Sequence, residues 1–172
     1  MPLQVALLRG VNLGKRQVVM SELRALVEGA GYANVRTLIA SGNLILDAKQ
    51  KGAKLETALE KLMLDGLGLK TNVFVRNAEE LDSIIVANPF NAFAQTNPNF
   101  LVVSFMRAPV TDAEMDAMKK TALTGEEIRP GERCLYIKFP QGQGPSKLKT
   151  PKLTSARNWN TVTKLAAALR GA

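Results

Sequence analysis

Residues 35–47 read VRTLIASGNLILD, in which two apolar runs flank Ser41-Gly42-Asn43. Gly and Asn tolerate the left-handed backbone conformations of tight turns, and β-branched residues favour strands. The stretch therefore predicts two antiparallel strands, Val35–Ala40 and Leu44–Asp47, joined by a hairpin at Ser41-Gly42-Asn43.

The elements before and after this hairpin give a β-α-β-β-α-β order. The short apolar run Leu3–Leu8 predicts a buried strand, and the periodic residues that follow Ser21 predict a helix to about Ala30. After the hairpin come a helix with its apolar face at Leu55, Leu59, Leu62 and Met63, ended by Gly66 and Gly68, and a strand at Thr71–Arg76. This order is the split β-α-β of the ferredoxin-like fold.

The second half nearly repeats that order. The predicted elements are a helix at Ala78–Ala87, an Asn/Pro-rich linker at 88–98, a strand at Phe100–Met106, a helix at Thr111–Thr121, a hairpin of Glu126–Arg129 and Arg133–Phe139 around Pro130-Gly131, and a helix at Ala156–Arg170. No closing strand is apparent. The prediction is an α+β protein of two tandem ferredoxin-like (β-α-β-β-α-β) subdomains with antiparallel sheets. Residues 1–77 form the first, 78–99 a helix and linker, and 100–172 the second with a basic loop and C-terminal helix.

The charge of the chain is concentrated at one end. Of the formal net charge of +8 over 172 residues, all belongs to the stretch after Glu132, which has eight Lys or Arg and no Asp or Glu. Residues 1–132 carry fifteen basic and fifteen acidic groups, which cancel. Such an asymmetry favours an anionic partner.

The composition also excludes several kinds of site. The chain has no His and one Cys, Cys134, so His-dependent triads, zinc hydrolase centres and an intrachain disulfide are excluded. No cofactor and no metal are predicted, and no catalytic constellation is recognisable. Neither a long apolar span nor a signal peptide is visible, so we expect a cytoplasmic protein that does not enter the membrane.

Two polar segments lie in the first half. Between the first strand and first helix, Arg9–Arg16 contains Arg9, Gly10 and Asn12 in a Gly-rich loop that could direct backbone N–H groups at an anion. Its spacing does not match a Walker A motif. The alternative is a turn whose basic residues are solvated. For Ser41 and Asn43, the main interpretation is a structural role in the turn. The alternative is that they bind a ligand.

The third polar segment is C-terminal. Lys147, Lys149 and Lys152 lie in a stretch without apolar periodicity, followed by a predicted helix that begins with Arg157, Asn158, Asn160 and Thr161. Helical projection places Trp159 on the apolar side, as a core residue, and predicts that Asn158 hydrogen-bonds backbone groups. Free N–H groups at the helix start together with the lysines favour an anion. The alternative is that the lysines keep the protein soluble.

Together the three segments resemble a known family. Leu7–Gly14 (LLRGVNLG), Ser41-Gly42-Asn43 and Ala156–Leu165 (ARNWNTVTKL) resemble the signature segments of a bacterial domain-of-unknown-function family, number sixteen ninety-seven. Lys15 is a departure, since such proteins often carry glycine there. The resemblance implies two ferredoxin-like subdomains and assigns no catalytic residue, substrate or cofactor.

Three functions remain open from the sequence. The first is an anion-binding module for nucleic acid or nucleotide phosphate that uses the basic C-terminal segment. The second is a site for a small phosphorylated or carboxylated metabolite where the Arg9–Arg16 loop meets the last helix. The third is a protein-interaction scaffold with an open sheet edge. The candidate ligand-binding residues are Arg9, Gly10, Asn12, Ser41, Asn43, Lys147, Lys149, Lys152, Arg157, Asn158, Asn160 and Thr161. Base stacking has one aromatic candidate on the sheets, Tyr136. The oligomeric state is left open.

Overall fold

The first sheet contains β1 (Leu3–Leu8), β2 (Ala33–Thr37), β3 (Asn43–Asp47) and β4 (Val73–Asn77). They have the strand order of the ferredoxin-like fold, β2-β3-β1-β4, with every neighbouring pair antiparallel. The computed structural model describes residues 3–9, 20–39 and 42–171. Its first six elements are β1 (Leu3–Leu8), α1 (Met20–Gly29), β2 (Ala33–Thr37), β3 (Asn43–Asp47), α2 (Gly52–Leu67) and β4 (Val73–Asn77). The predicted β-α-β-β-α-β order is confirmed.

The first core lies between this sheet and α1 and α2. Ala6 and Leu8 of β1 point to the helices and pack with Leu23 of α1 and Leu59 of α2, all nearly inaccessible to solvent. The alternate residues of β1, such as Val5 and Leu7, are also buried, which explains why β1 is continuously apolar from Val5 to Leu8.

The chain forms two units, one containing the chain up to Leu81 together with the segment from Leu165, the other Asp82–Lys164. In the first unit, the Arg36 guanidinium donates to the carbonyl of Ala168 at 3.1 Å.

The predicted linker between the two halves contains short helices. There, the Asn88 side chain accepts from Phe90 N at 3.0 Å, which helps to start a helical turn. The elements are α3 (Ala78–Val86), α4 (Asn91–Thr96) and a 3-10 turn (Pro98–Phe100).

The second sheet contains β5 (Leu101–Phe105), β6 (Glu127–Gly131), β7 (Cys134–Lys138) and β8 (Ser155–Asn158). They have the corresponding order, β6-β7-β5-β8, again antiparallel throughout. Its elements are β5 (Leu101–Phe105), α5 (Asp112–Thr121), β6 (Glu127–Gly131), β7 (Cys134–Lys138), β8 (Ser155–Asn158) and α6 (Trp159–Leu169). Thr111 and Glu114 form a capping box at the start of α5. Thus both sheets place four strands in the ferredoxin-like arrangement.

Three predictions for the second half were wrong. A closing strand is present, because β8 pairs with β5 along Ser155–Asn158. The last helix begins at Trp159 instead of Ala156, since the three preceding residues are drawn into the sheet. A strand of four residues has too short a pattern to be recognised from the sequence. The hairpin turn also differs: Pro130 and Gly131 belong to β6.

A nonhelical stretch occupies the place of the second crossover helix. Between β7 and β8 the chain has no helix, and Leu148 of this stretch packs against the core that contains Met118 of α5 and Ile137 of β7. The stretch therefore covers part of the second core, in the position that α2 has over the first core.

Among the described residues, no helix combines the length and apolar character needed to cross a membrane.

Candidate functional site

Two of the three polar segments meet at one end of the first sheet. Leu7 pairs with Asn43 across β1 and β3, and Leu8 N donates to Gly42 O at 2.9 Å. Arg9 follows directly and donates its backbone N–H to Asn72 O at 3.0 Å. The end of β1 and the hairpin are therefore neighbours. A common pocket that also includes Arg157 stays a prediction.

The Asn43 side chain closes the hairpin connection. It is 2% exposed, and its Nδ2 donates to Ile39 O at 2.9 Å. Gly42 has a φ of 88°, as its place in the turn predicts. The structure ends β2 at Thr37 and begins β3 at Asn43, so the first strand of the hairpin ends earlier than predicted and Asn43 belongs to the second strand. These contacts support the turn role of Asn43. Gly10, Asn12 and Ser41 lie outside the described residues.

Arg9 lines a cleft of about 530 Å³ at the same end of the sheet. The Thr71 hydroxyl donates to Arg9 O at 2.6 Å, which fixes the backbone at the rim. Glu60 Oε2 accepts from Val73 N at 2.9 Å and from Asn72 Nδ2 at 3.3 Å. Arg9, Lys61 and Lys70 are the cations among the exposed side chains at the cleft, which also include Thr57 and Leu64.

The basic segment, residues 142–154, is held in place by hydrogen bonds within the segment and by one bond to the end of α5. Ser146 N donates to Gln143 O at 3.1 Å, Leu148 N to Ser146 Oγ at 3.2 Å, and Lys149 N to Thr121 Oγ1 at 2.9 Å. With Leu148 packed inward, Lys147, Lys149 and Lys152 are exposed. The segment presents its lysines to solvent from an anchored backbone.

A buried carboxylate lies near the start of β6. Glu126 is 7% exposed, and its Oε1 accepts from Thr124 N at 2.8 Å and also from the Thr124 hydroxyl. Burial raises the pKa of the Glu126 carboxyl, but the hydrogen bonds from Thr124 outweigh this effect and leave the pKa below its ordinary value. Glu126 is therefore ionised at neutral pH.

The polar residues around β8 and α6 make internal hydrogen bonds. Arg157 Nη1 donates to Ser155 Oγ and to Ala156 O, each at 2.9 Å, and burial lowers the pKa of Arg157 to about 10. It remains charged at neutral pH. Asn158 Oδ1 accepts from Thr161 N at 2.9 Å, so the predicted backbone hydrogen bond is present and it caps α6. Thr161 itself is buried.

The Asn160 side chain is hydrogen-bonded, and the aromatic residues Trp159 and Tyr136 are buried. Asn160 Nδ2 donates to Asn99 Oδ1 at 2.7 Å. Trp159 is buried, which confirms its predicted place in the core. Tyr136 is 2% exposed and its hydroxyl donates to Ile84 O at 2.6 Å, and burial raises its pKa. The ring of Tyr136 is thus not accessible to a nucleic-acid base.

Sequence reasoning missed the other cations of the cleft, Lys61 and Lys70. A signal existed, since a split β-α-β order places the start of β4 beside the end of β1, and hence Lys70 near Arg9. It also missed the burial of Arg76, which is 1% exposed and donates to Val75 O at 2.8 Å. A single arginine in an otherwise apolar strand gives no periodic sequence pattern from which its burial could be predicted.

Comparison with known proteins shows the family to which the chain belongs. The family described as "Protein of unknown function (DUF1697)" matches residues 1–136, and the chain belongs to this family. The matched region contains the first two polar segments and ends before the basic segment. None of the curated proteins matches the chain.

A solved structure has the same fold along the whole chain. It is described as the conserved bacterial protein SP0830 from Streptococcus pneumoniae. The similarity has a TM-score of 0.77 at 23% identity and covers 99% of each chain. At this identity the likeness establishes the fold alone.

Proposed function

We propose that this protein is a binding module for phosphate-bearing anions, foremost the nucleic-acid backbone, and that the basic segment is its contact surface. The observation that carries the proposal is the exposure of Lys147, Lys149 and Lys152 on one anchored stretch. No Asp or Glu follows Glu132 in the sequence, so the segment lacks neighbouring acidic side chains along the chain. Phosphate oxygens are favourable partners for such ammonium groups.

Contacts to phosphate are favoured over contacts to bases. RNA-binding sheets stack bases on exposed aromatic rings, whereas the only sheet candidate predicted here, Tyr136, is buried. Lysine contacts to phosphates carry little sequence information. We therefore expect binding with little sequence preference. Arg157, which stays charged, is a fixed cation at β8 and adds to the positive charge that follows Glu132.

The sequence also left open a metabolite site and a protein-interaction scaffold. A site for a small phosphorylated metabolite would involve Arg9, which lies in the first unit. The scaffold hypothesis relied on a missing closing strand, and β8 fills that position beside β5. A cytoplasmic location belongs to this proposal, since the free Cys134 is buried and suits a reducing compartment.

Fluorescence anisotropy with a labelled single-stranded RNA and a duplex DNA tests the proposal. Three phosphate contacts predict a slope of about −2 to −3 in log affinity against log salt. The variant K147Q/K149Q/K152Q should lose most binding at low salt. The matched control K49Q/K51Q/K54Q removes the same charge from exposed lysines of the first unit and should bind nearly as the parent does.

Equal losses in both triple variants would show that net charge alone is responsible. Absence of binding by the parent at low salt, or an affinity that does not change with salt, would contradict the proposal directly.

A further inference from the structure

We infer that the cleft between β1, β4 and α2 is a second site, which binds a small phosphate monoester independently of the basic segment. The class of ligand follows from the cations Arg9, Lys61 and Lys70, and from the hydroxyl and amide groups that Thr57, Thr71 and Asn72 contribute to the lining. The inference does not rest on the proposed nucleic-acid function. It concerns different residues in the first unit.

The backbone builds the cleft at the edge of the sheet. β1 and β4 are antiparallel with Leu8 opposite Val73, so the residues after β1 and before β4 lie at the same edge. Two hydrogen bonds join them, from Arg9 N to Asn72 O at 3.0 Å and from Thr71 Oγ1 to Arg9 O at 2.6 Å. The helix α2 supplies the facing wall. A volume of about 530 Å³ is in the range of small-molecule sites.

The charges at the cleft are unevenly compensated. Lys61 Nζ lies 2.7 Å from Asp65, so its charge is shared with an exposed carboxylate. Within residues 3–9, 20–39 and 42–171, neither Arg9 nor Lys70 has an ion-pair partner. Two cations at one cleft with no acidic partner in that part of the chain favour an anionic ligand.

Glu60 is the one carboxylate in the described part of the cleft lining, and it is already hydrogen-bonded. Glu60 Oε2 accepts from Val73 N at 2.9 Å and from Asn72 Nδ2 at 3.3 Å, and these bonds hold the carboxylate on the β4 wall. An anion placed at Arg9 and Lys70 would gain a guanidinium fork and an ammonium group as donors. Arginine binds phosphate through two parallel N–H groups.

The lining also indicates the size and polarity of the ligand. Thr57 and Thr71 contribute hydroxyl groups, and Leu64 is the one large apolar side chain among the described lining residues. Among the residues that the structure describes, no aromatic side chain lines the cleft, and these residues offer no stacking surface for a nucleobase. A phosphorylated sugar or polyol therefore suits the cleft better than a nucleotide.

Nuclear magnetic resonance titration of the full chain with glucose 6-phosphate tests the inference, with glucose and inorganic phosphate as comparison probes. We expect saturable amide shifts at Thr57, Thr71 and Asn72 with glucose 6-phosphate, smaller ones with phosphate and none with glucose. Arg9→Gln and Lys70→Gln should each weaken binding by about tenfold, since each removes a charged donor. Arg9→Lys should restore part of the affinity.

The control is Lys54→Gln, which removes an exposed lysine from the first turn of the same helix and should leave the affinity unchanged. Because Arg9 and Lys70 are exposed, their substitution should leave the unfolding temperature nearly unchanged. Shifts confined to the basic segment, no saturable shift at all, or equal affinity in the parent and the Arg9→Gln variant would overturn the inference. Binding that survives in K147Q/K149Q/K152Q would separate this site from the proposed nucleic-acid surface.

Discussion

Leu8 donates its backbone N–H to the carbonyl oxygen of Gly42 at 2.9 Å, one residue beyond the last paired position of β1 and β3. Together with the bond from Arg9 N to Asn72 O, it places the end of β1 between the hairpin and the start of β4. Backbone hydrogen bonds therefore fix the position of the Arg9 main chain. Substitutions of that side chain can probe binding without altering the sheet.

The first prediction concerns Asn43. Asn43→Ala removes the buried hydrogen bond to Ile39 O, and we expect it to lower the free energy of unfolding by about 1–3 kcal/mol. Urea denaturation measures this change. The control is Asn97→Ala, whose bond to Thr96 is exposed, and its loss should be within about 0.5 kcal/mol. Equal losses in the two variants would contradict the turn role of Asn43.

The second prediction concerns the cap of α6. Asn158→Ala should lower stability by about 1 kcal/mol, because Thr161 N loses its acceptor at the helix start. Asn158→Asp keeps an acceptor oxygen and should retain the stability of the parent. Thermal unfolding followed by circular dichroism compares the three proteins. If the aspartate variant is destabilised as much as the alanine variant, the side-chain amide has a role other than capping.

The third prediction concerns the anchor of the basic segment. Leu148→Ala removes an apolar contact with the second core, so the segment should open more often and its amides should exchange faster. The amide of Lys149, which is bonded to Thr121, is the most direct reporter. Leu153→Ala is the matched control, because Leu153 is 42% exposed in the same segment. Hydrogen exchange that is unchanged in the Leu148→Ala variant would show that this contact does not hold the segment.

The fourth prediction concerns pH. The pKa of Glu126 is lower in the folded protein than in the unfolded chain, so its contribution to stability is present above the unfolded pKa. That contribution is lost as the pH falls through the folded pKa. The difference in unfolding free energy between the parent and the Glu126→Gln variant should therefore shrink in acid. A difference that is constant from neutral to acidic pH would contradict the assignment.

The first unit could be predicted because its patterns are long and consistent. The helical repeat of Leu55, Leu59 and Met63 belongs to a helix of sixteen residues that ends at Gly68, where φ is 63°. In contrast, β8 depends on β5 for its hydrogen bonds, and its four residues also fit a helix start. The pairing that decides between these structures is made by residues 50 positions away in sequence, such as Ser155 and Phe105.

The candidate site could be predicted only in part, for a similar reason. Arg9 and the lysines of the basic segment are apparent from composition and charge. The roles of Asn43 and Asn158 depend on which backbone groups lie within reach of their amides, and this follows only from the folded chain. The burial of Tyr136 likewise depends on Ile84, which precedes it by 52 residues.

The replacement of a crossover helix by an irregular stretch in the second unit affects how each half can evolve. An irregular stretch has no helical phase to preserve, so insertions or exchanges of residues after Leu148 need not misalign any buried side chain. The same change within α2 would rotate Leu55, Leu59 and Met63 away from their sheet. Variation in length and polarity among homologues should therefore accumulate in the second crossover, and a change of partner could arise there at little cost to folding.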